Sequence, residues 1–430
     1  MPHKTVLPNG IRIVSQKMPH VRSVSMGVWV DVGARDESEA QSGLSHFIEH
    51  MIFKGTTRRS AYQIAKEFDA IGGHTNAFTC MENTCYHAKV MDTHLDTMVE
   101  ILSDIFLNSL FDPEEVERER QVILQEIGMV EDTPEEHLHI LAGRNFWGDH
   151  PLGRSILGTR DNILGFSADM IKSFFSQFYH PERIVVSVAG NVDHHRFVDM
   201  VGPAFAAIRN DQPLPERCVP AIRPQTQLHK RSLEQVHLCL ATLGISVTDP
   251  RRFAFSLMNT ILGGNMSSRL FQEIRESRGL AYSIYSFIVS HVDSGLFGVY
   301  TGVAAENARQ TIDLIVQALQ LLRTFPVKSA ELRDAIEYTK GNLFLAAESV
   351  DNQMVRMAQN ELHFGHYIHL DEIIQKIETV TVEEIQALAQ ALFRTEQTSL
   401  TALGPINKKE FSSFGFKPDA PKMKVERGQR

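Results

Sequence analysis

The sequence predicts an α+β protein: two homologous α/β sandwich domains in tandem, each an antiparallel-rich sheet with helices packed on it. Three observations predict this. A chain of 430 residues exceeds what one ordinary hydrophobic core serves. Segments with strand and helix periodicity alternate along it. After a proline-rich break, the order of elements starts again. The expected boundaries are residues 1–212 for a first, catalytic domain, 213–225 for a linker, and 226–430 for a second domain that serves substrate binding and assembly.

In the first half, residues 11–14 and 24–30 read as strands, β-branched and partly alternating, with Asn9-Gly10 turning the chain before them. Helical spacing covers about 41–54 and about 60–71, the second closed by Gly72-Gly73. Residues 75–79 and 85–90 form a candidate strand pair, followed by helices over about 92–108 and 112–131. Residues 184–189 are a last strand, ending at Gly190-Asn191. Pro213, Pro215, Pro220 and Pro224 suit neither helix interiors nor central strands, which marks the linker. Beyond it, 235–241 takes the place of 23–30, and helices over 306–322 and 329–343 take the places of 93–108 and 112–127.

Composition narrows the function. Hydrophobic residues at 43% and charged residues at 22% are ordinary for a soluble globular protein. A net charge of -9 offers no reason to expect nucleic acid or an anionic membrane as partner. No apolar run approaches the roughly 18 residues that span a bilayer. The segment from Met1 to Gly10 lacks the apolar stretch of a secretory signal. Cys80, Cys85, Cys218 and Cys239 form no CxxC pair and read as reduced thiols, so a cytoplasmic location is expected.

The stretch Gly43-Leu44-Ser45-His46-Phe47-Ile48-Glu49-His50-Met51 carries the candidate chemistry. On a helix His46 and His50 stand at i and i+4, so both imidazoles leave one face. Two such nitrogens can hold one Zn2+ at about 2.0–2.1 Å each. Glu49, beside the second histidine, can reach a water there without being a ligand. H-x-x-E-H is the inverted metalloprotease motif. A third ligand can come from residues 117–127, where Glu119 and Glu126 lie two helical turns apart on one face. Val122 and Ile123 between them make that face half-buried, so a carboxylate there needs a metal or a cation as partner. Mn2+ or Co2+ would suit the same donors, because affinity order alone does not select the metal.

These residues resemble the inverted-motif zinc metallopeptidases of the pitrilysin/insulinase type, nearest to the mitochondrial-processing-peptidase-like branch and its bacterial homologues. The resemblance covers nearly the whole chain. It includes His46 to His50, Phe53-Lys54-Gly55-Thr56, Gly72-Gly73-His74-Thr75-Asn76-Ala77-Phe78-Thr79, the helix with Glu119 and Glu126, His150-Pro151-Leu152-Gly153-Arg154, and Arg275 through Ser283. It implies His46, His50 and Glu126 as ligands of one zinc per chain and Glu49 as catalytic base. It implies Glu119 as a carboxylate supporting the site and Asn76 near the substrate backbone. Arg275 and Tyr282 become a substrate-contacting pair, Tyr282 also facing the oxyanion. From local residues alone, Asn76 sits in a strand, and a turn residue after Gly72-Gly73 is the lesser alternative.

The resemblance therefore implies an endopeptidase acting on unstructured peptides inside a closed chamber. Larger relatives clamp two halves of this size together, so a homodimer is expected, or a heterodimer with a paralogue, with Tyr282 of one chain completing the site of the other. The rival reading is a non-catalytic assembly partner that kept the fold, whose mark would be a lost base or ligand. His137, His139, His194, His195, His363, His366 and His369 read as surface or core histidines.

Overall fold

The computed structural model describes residues 2–209, 213–407 and 411. Among the described residues, eleven strands make two mixed sheets. The first contains β1 (His3–Val6), β2 (Arg12–Lys17), β3 (Ser23–Val30), β4 (His74–Thr79), β5 (Thr84–Met91) and β6 (Ile184–Gly190), in the order β1-β2-β6-β3-β5-β4. The second contains β7 (Thr226–Lys230), β8 (Val236–Leu243), β9 (Ala281–Ser290), β10 (Gly295–Val303) and β11 (Ser399–Gly404), in the order β7-β11-β8-β10-β9.

The repeat is visible strand by strand. β2 to β6 and β7 to β11 follow one path. Each path has one parallel pair, β2 with β6 and β7 with β11, and antiparallel pairing elsewhere. β1 is an addition to the first sheet. In both halves a helix follows the second strand of the path: Leu44–Met51 in the first and the apolar Arg252–Leu262 in the second. The first helix is shorter than the predicted 41–54. Gly43 sits before it at φ 101, and a 3-10 turn, Glu39–Gln41, precedes that. The linker residues 213–225 form neither helix nor strand.

The tandem reading does not foresee that the halves exchange helices. Helix Pro134–Trp147, from the first half, packs on β8 and β11 through Leu138 and Ala142 against Cys239, Tyr300 and Leu403. Helix Val350–Phe364, from the second half, packs on β2, β3 and β6 through Met354, Met357 and Ala358 against Val14, Trp29 and Val185. Each sheet is thus covered on both faces. This is why β6 and β10 are buried along their whole length and read as continuous apolar runs rather than alternating ones.

Met354 is the centre of the second exchange. It is fully buried, the Trp29 indole N–H donates to its sulfur at 3.3 Å, and a Cβ on Gly27 would come within 2.6 Å of that sulfur. Lys89–Asp351 at 2.7 Å and Lys4–Glu361 at 2.5 Å pin the two ends of the helix. Met354→Ala should cost about 2–5 kcal/mol, from lost burial plus the cavity left behind. Urea unfolding would measure it, with both halves lost in one transition. A cost below about 1 kcal/mol would mean that the exchanged helix does not hold the first sheet.

No helix among the described residues is long and apolar enough to cross a membrane.

Candidate metal centre

Helix Leu44–Met51 lies against β4 and against the long helix Pro113–Asp132. Its inner face buries Leu44, Phe47, Ile48 and Met51 in the core, and that apolar stripe sets the roll of the helix. The roll leaves His46 and His50 together, ring centroids 4.5 Å apart, facing the neighbouring helix. Asp112 caps that helix, accepting from the Glu114 and Glu115 N–H groups, and Pro113 opens it. Its buried Val116, Ile123 and Ile127 fix its own roll.

The two packings bring Glu126 Oε2 to 3.6 Å from His46 Nε2 and 3.5 Å from His50 Nε2. Donors held at about 2.0–2.1 Å around a tetrahedral ion are about 3.3–3.4 Å apart, so the observed edges need a closure of only tenths of an ångström. Among the described residues, this trio is the one group of histidine, cysteine and carboxylate side chains close enough to hold a metal ion, with all donor atoms within 4.8 Å.

Glu119 does not join the trio. Its Oε1 lies 2.8 Å from His50 Nδ1 and its Oε2 lies 2.5 Å from Lys54 Nζ. Pairing Nδ1 with a carboxylate turns Nε2 of His50 toward Glu126. Burial raises the Glu119 carboxyl, but hydrogen bonds from His50 and Lys54 outweigh it and hold it below its ordinary value. Burial, and secondarily His50, lower His46 to about 3, which keeps its ring neutral and able to donate a lone pair. Burial also raises Glu126, with Glu119 adding to the effect.

Glu49 stands on the same helix and shares the cavity lining with Thr79, at the end of β4. Its Oε2 is buried without a hydrogen-bond partner. Burial raises its carboxyl above the ordinary value. A carboxylate oxygen buried in this way needs a donor to offset the cost of its burial.

His46, Glu49 and Glu126 open onto a cavity of about 590 Å³. Phe78 of β4, Val130, Ile140 and Leu157 give it largely apolar walls. Asn76 lies in β4, the edge strand of its sheet, and is exposed, so the strand reading of this position holds over the turn reading. Arg275 and Tyr282 do not line the cavity. They stack on each other instead, the Arg275 guanidinium 4.8 Å from the Tyr282 ring centre and 4.7 Å from that of Phe271. Tyr282 is the second residue of β9, an edge strand of the second sheet, and is 80% exposed.

Sequence reasoning missed Lys54 as the second partner of Glu119 and His139 as part of the cavity wall. His139 Nε2 lies 2.9 Å from the Tyr285 hydroxyl, which donates to Glu135. Nothing local marks His139, because its neighbours come from the second sheet. Lys54 lay within the quoted motif, four residues after His50, and its spacing alone was a usable signal. His194 is occupied structurally, by Thr5 at 2.9 Å and Ser15 at 2.8 Å.

Comparisons with known proteins agree with this architecture. Residues 12–160 match the family described as Insulinase (Peptidase family M16), and residues 165–338 match the one described as Peptidase M16 inactive domain. The chain is 41% identical over 397 residues to the uncharacterized zinc protease YmxG of Bacillus subtilis, across 92% of this chain and 97% of that one. It is 39% identical over 417 residues to an uncharacterized zinc protease of Streptomyces coelicolor, across 95% and 91% of the two chains. The crystal structure of a protease from Helicobacter pylori superposes with a TM-score of 0.87 at 22% identity, covering 94% of this chain and 99% of that one. At that identity the likeness speaks to the fold.

Proposed function

The chain belongs to the M16, or insulinase, family of peptidases, and from that premise we propose that it is a zinc-dependent endopeptidase acting on unstructured peptides. One observation carries the reading: Oε2 of Glu126 lies 3.6 Å from Nε2 of His46 and 3.5 Å from Nε2 of His50, and Glu49 opens onto the same cavity as His46 and Glu126. The donor set fits zinc, with two neutral imidazoles, one carboxylate and room for a fourth position. Zinc held there, one ion per chain, would lower the pKa of a water toward ~7 and polarise the peptide carbonyl.

The remaining work falls to the side chains. Glu49 Oε2 takes the proton of the attacking water and later passes it to the departing amine. Burial raises its carboxyl above the ordinary value, which makes the carboxylate a stronger base for that proton. Glu119 keeps His50 oriented, with Lys54 holding Glu119 in turn. The free edge of β4 offers unpaired backbone groups to an extended peptide, which would add as a further strand with Asn76 beside its backbone. A folded protein has no such strand to lend, so unstructured peptides are the substrate class. The apolar cavity next to β4 would take a side chain near the bond cut.

Arg275 and Tyr282 have no role inside one chain on this arrangement. We place them across a homodimer interface, where Tyr282 of a second copy faces the cavity and donates to the oxyanion. Mixing the inactive variants Glu49→Gln and Tyr282→Phe tests this. Sharing across chains predicts that up to about half of the sites in mixed dimers regain both residues and that activity returns on mixing. A mixture that stays as inactive as its parts, while subunits demonstrably exchange, sinks the shared site. Cleavage of a mixed peptide pool, with bound zinc counted, tests the peptidase reading itself.

A further inference from the structure

We propose that Glu37 is a positioning residue for the metal centre, holding the start of the helix that carries His46, Glu49 and His50. The inference rests on the reading of that helix as a metal helix. Helix Leu44–Met51 has only 8 residues, a length far too short to persist without tertiary support. Its first-turn N–H groups need acceptors, and the residue before it, Gly43, has no side chain to supply one.

Glu37 supplies both. The Gly43 N–H donates to Glu37 Oε2 at 2.8 Å, and the Ser45 N–H donates to Oε1 at 2.7 Å. The side chain acts as a cap reaching in from another segment, and a carboxyl at a helix N-terminus also meets the positive end of the helix dipole. Glu37 is 3% exposed, and among the described residues no cation pairs with it. Its burial would be costly if the helix start did not repay it with hydrogen bonds.

The post itself is fixed. Arg35 donates to Glu82 at 2.5 Å and to Asp293 at 2.5 Å, and Arg217 holds Asp36 at 2.8 Å. The same residue also touches the cavity wall, because the Arg154 guanidinium donates to the Glu37 carbonyl at 2.8 Å. A Cβ on Gly43 would strike the Leu157 carbonyl oxygen at 2.8 Å and Gly158 Cα at 2.9 Å, so the helix start and the wall are in direct contact. Glu37 therefore sets the distance between the metal helix and the cavity that Arg154 and Leu157 line.

His46 is the third residue of the helix and depends on its first turn. His50 lies in the second turn, where Glu119 holds it. Losing the cap should free His46 and leave His50 in place. The test uses the full-length protein and two readouts, hydrogen exchange over residues 44–51 without metal and zinc affinity by competition with a chelator. Glu37→Ala should speed exchange of this segment selectively and weaken zinc binding about 10–100-fold. Glu37→Gln, which keeps one acceptor, should fall between it and wild type. Leu238→Ala, in the core of the second sheet, is the control for general destabilisation and should leave both readouts near wild type. Should Glu37→Ala not fold, Glu37→Gln decides alone. Unchanged exchange and affinity in the Glu37 variants, or an equal loss in the Leu238→Ala control, overturns the proposal. A wild type that binds no zinc overturns the metal reading, while the exchange readout still decides whether Glu37 holds the helix.

Discussion

Glu49→Gln should lower kcat about 10²–10⁴-fold while the protein keeps its zinc, its fold and its affinity for peptide. That is about 3–5 kcal/mol of transition-state stabilisation removed with almost no change in shape. Glutamine has the length of glutamate, but its amide cannot take a proton from water. Glu49 is not one of the three atoms that form the donor triangle, so metal content should not change. The measurement is peptide turnover with zinc counted in the same samples. Turnover within tenfold of wild type would move the base elsewhere. Loss of zinc along with activity would instead make Glu49 a ligand.

The second large effect concerns the metal. Glu126→Ala removes one corner of the donor triangle and leaves two histidines on one short helix. Zinc affinity should fall by more than the roughly 10–100-fold that removing an outer carboxylate costs. Glu119→Gln provides that smaller reference, because its contact runs through His50 Nδ1 and Lys54 rather than to the ion. The order of the two losses, read by chelator competition at one pH, separates ligand from support. If Glu119→Gln proves the more damaging, the assignments of the two carboxylates must be exchanged. The comparison needs fixed pH, because protons compete for histidine and carboxylate donors.

The two carboxylates show how far linear pattern carries. Their spacing placed them on one helical face, and so both near the metal. Which one ligates was not contained in that spacing. The approach of the two helices sets Glu126 against both Nε2 atoms and Glu119 against one Nδ1, a contact 69 residues apart in sequence.

Much of the fold was legible because its signals are local. The i, i+4 histidines, the glycines at Gly72-Gly73, the β-branched strands and the second run through the same order of elements all lie within short windows. The repeat then emerges as two sheets with the same five-strand path, down to the single parallel pair. Continuous burial of β6 and β10 was also present in their apolar runs, although it did not say what covers the second face.

The sequence by itself therefore determined the motif, the elements that carry it and the duplicated architecture, since each follows from the periodicity of one segment. Only the tertiary structure decided which carboxylate meets the histidines, that Asn76 lies on a free sheet edge, that His139 joins the cavity, that the halves exchange helices, and that Glu37 meets the start of the metal helix. These are contacts between segments. They depend on how buried faces pack in three dimensions, and the free energy that selects one packing is spread over many side chains rather than written in any one stretch.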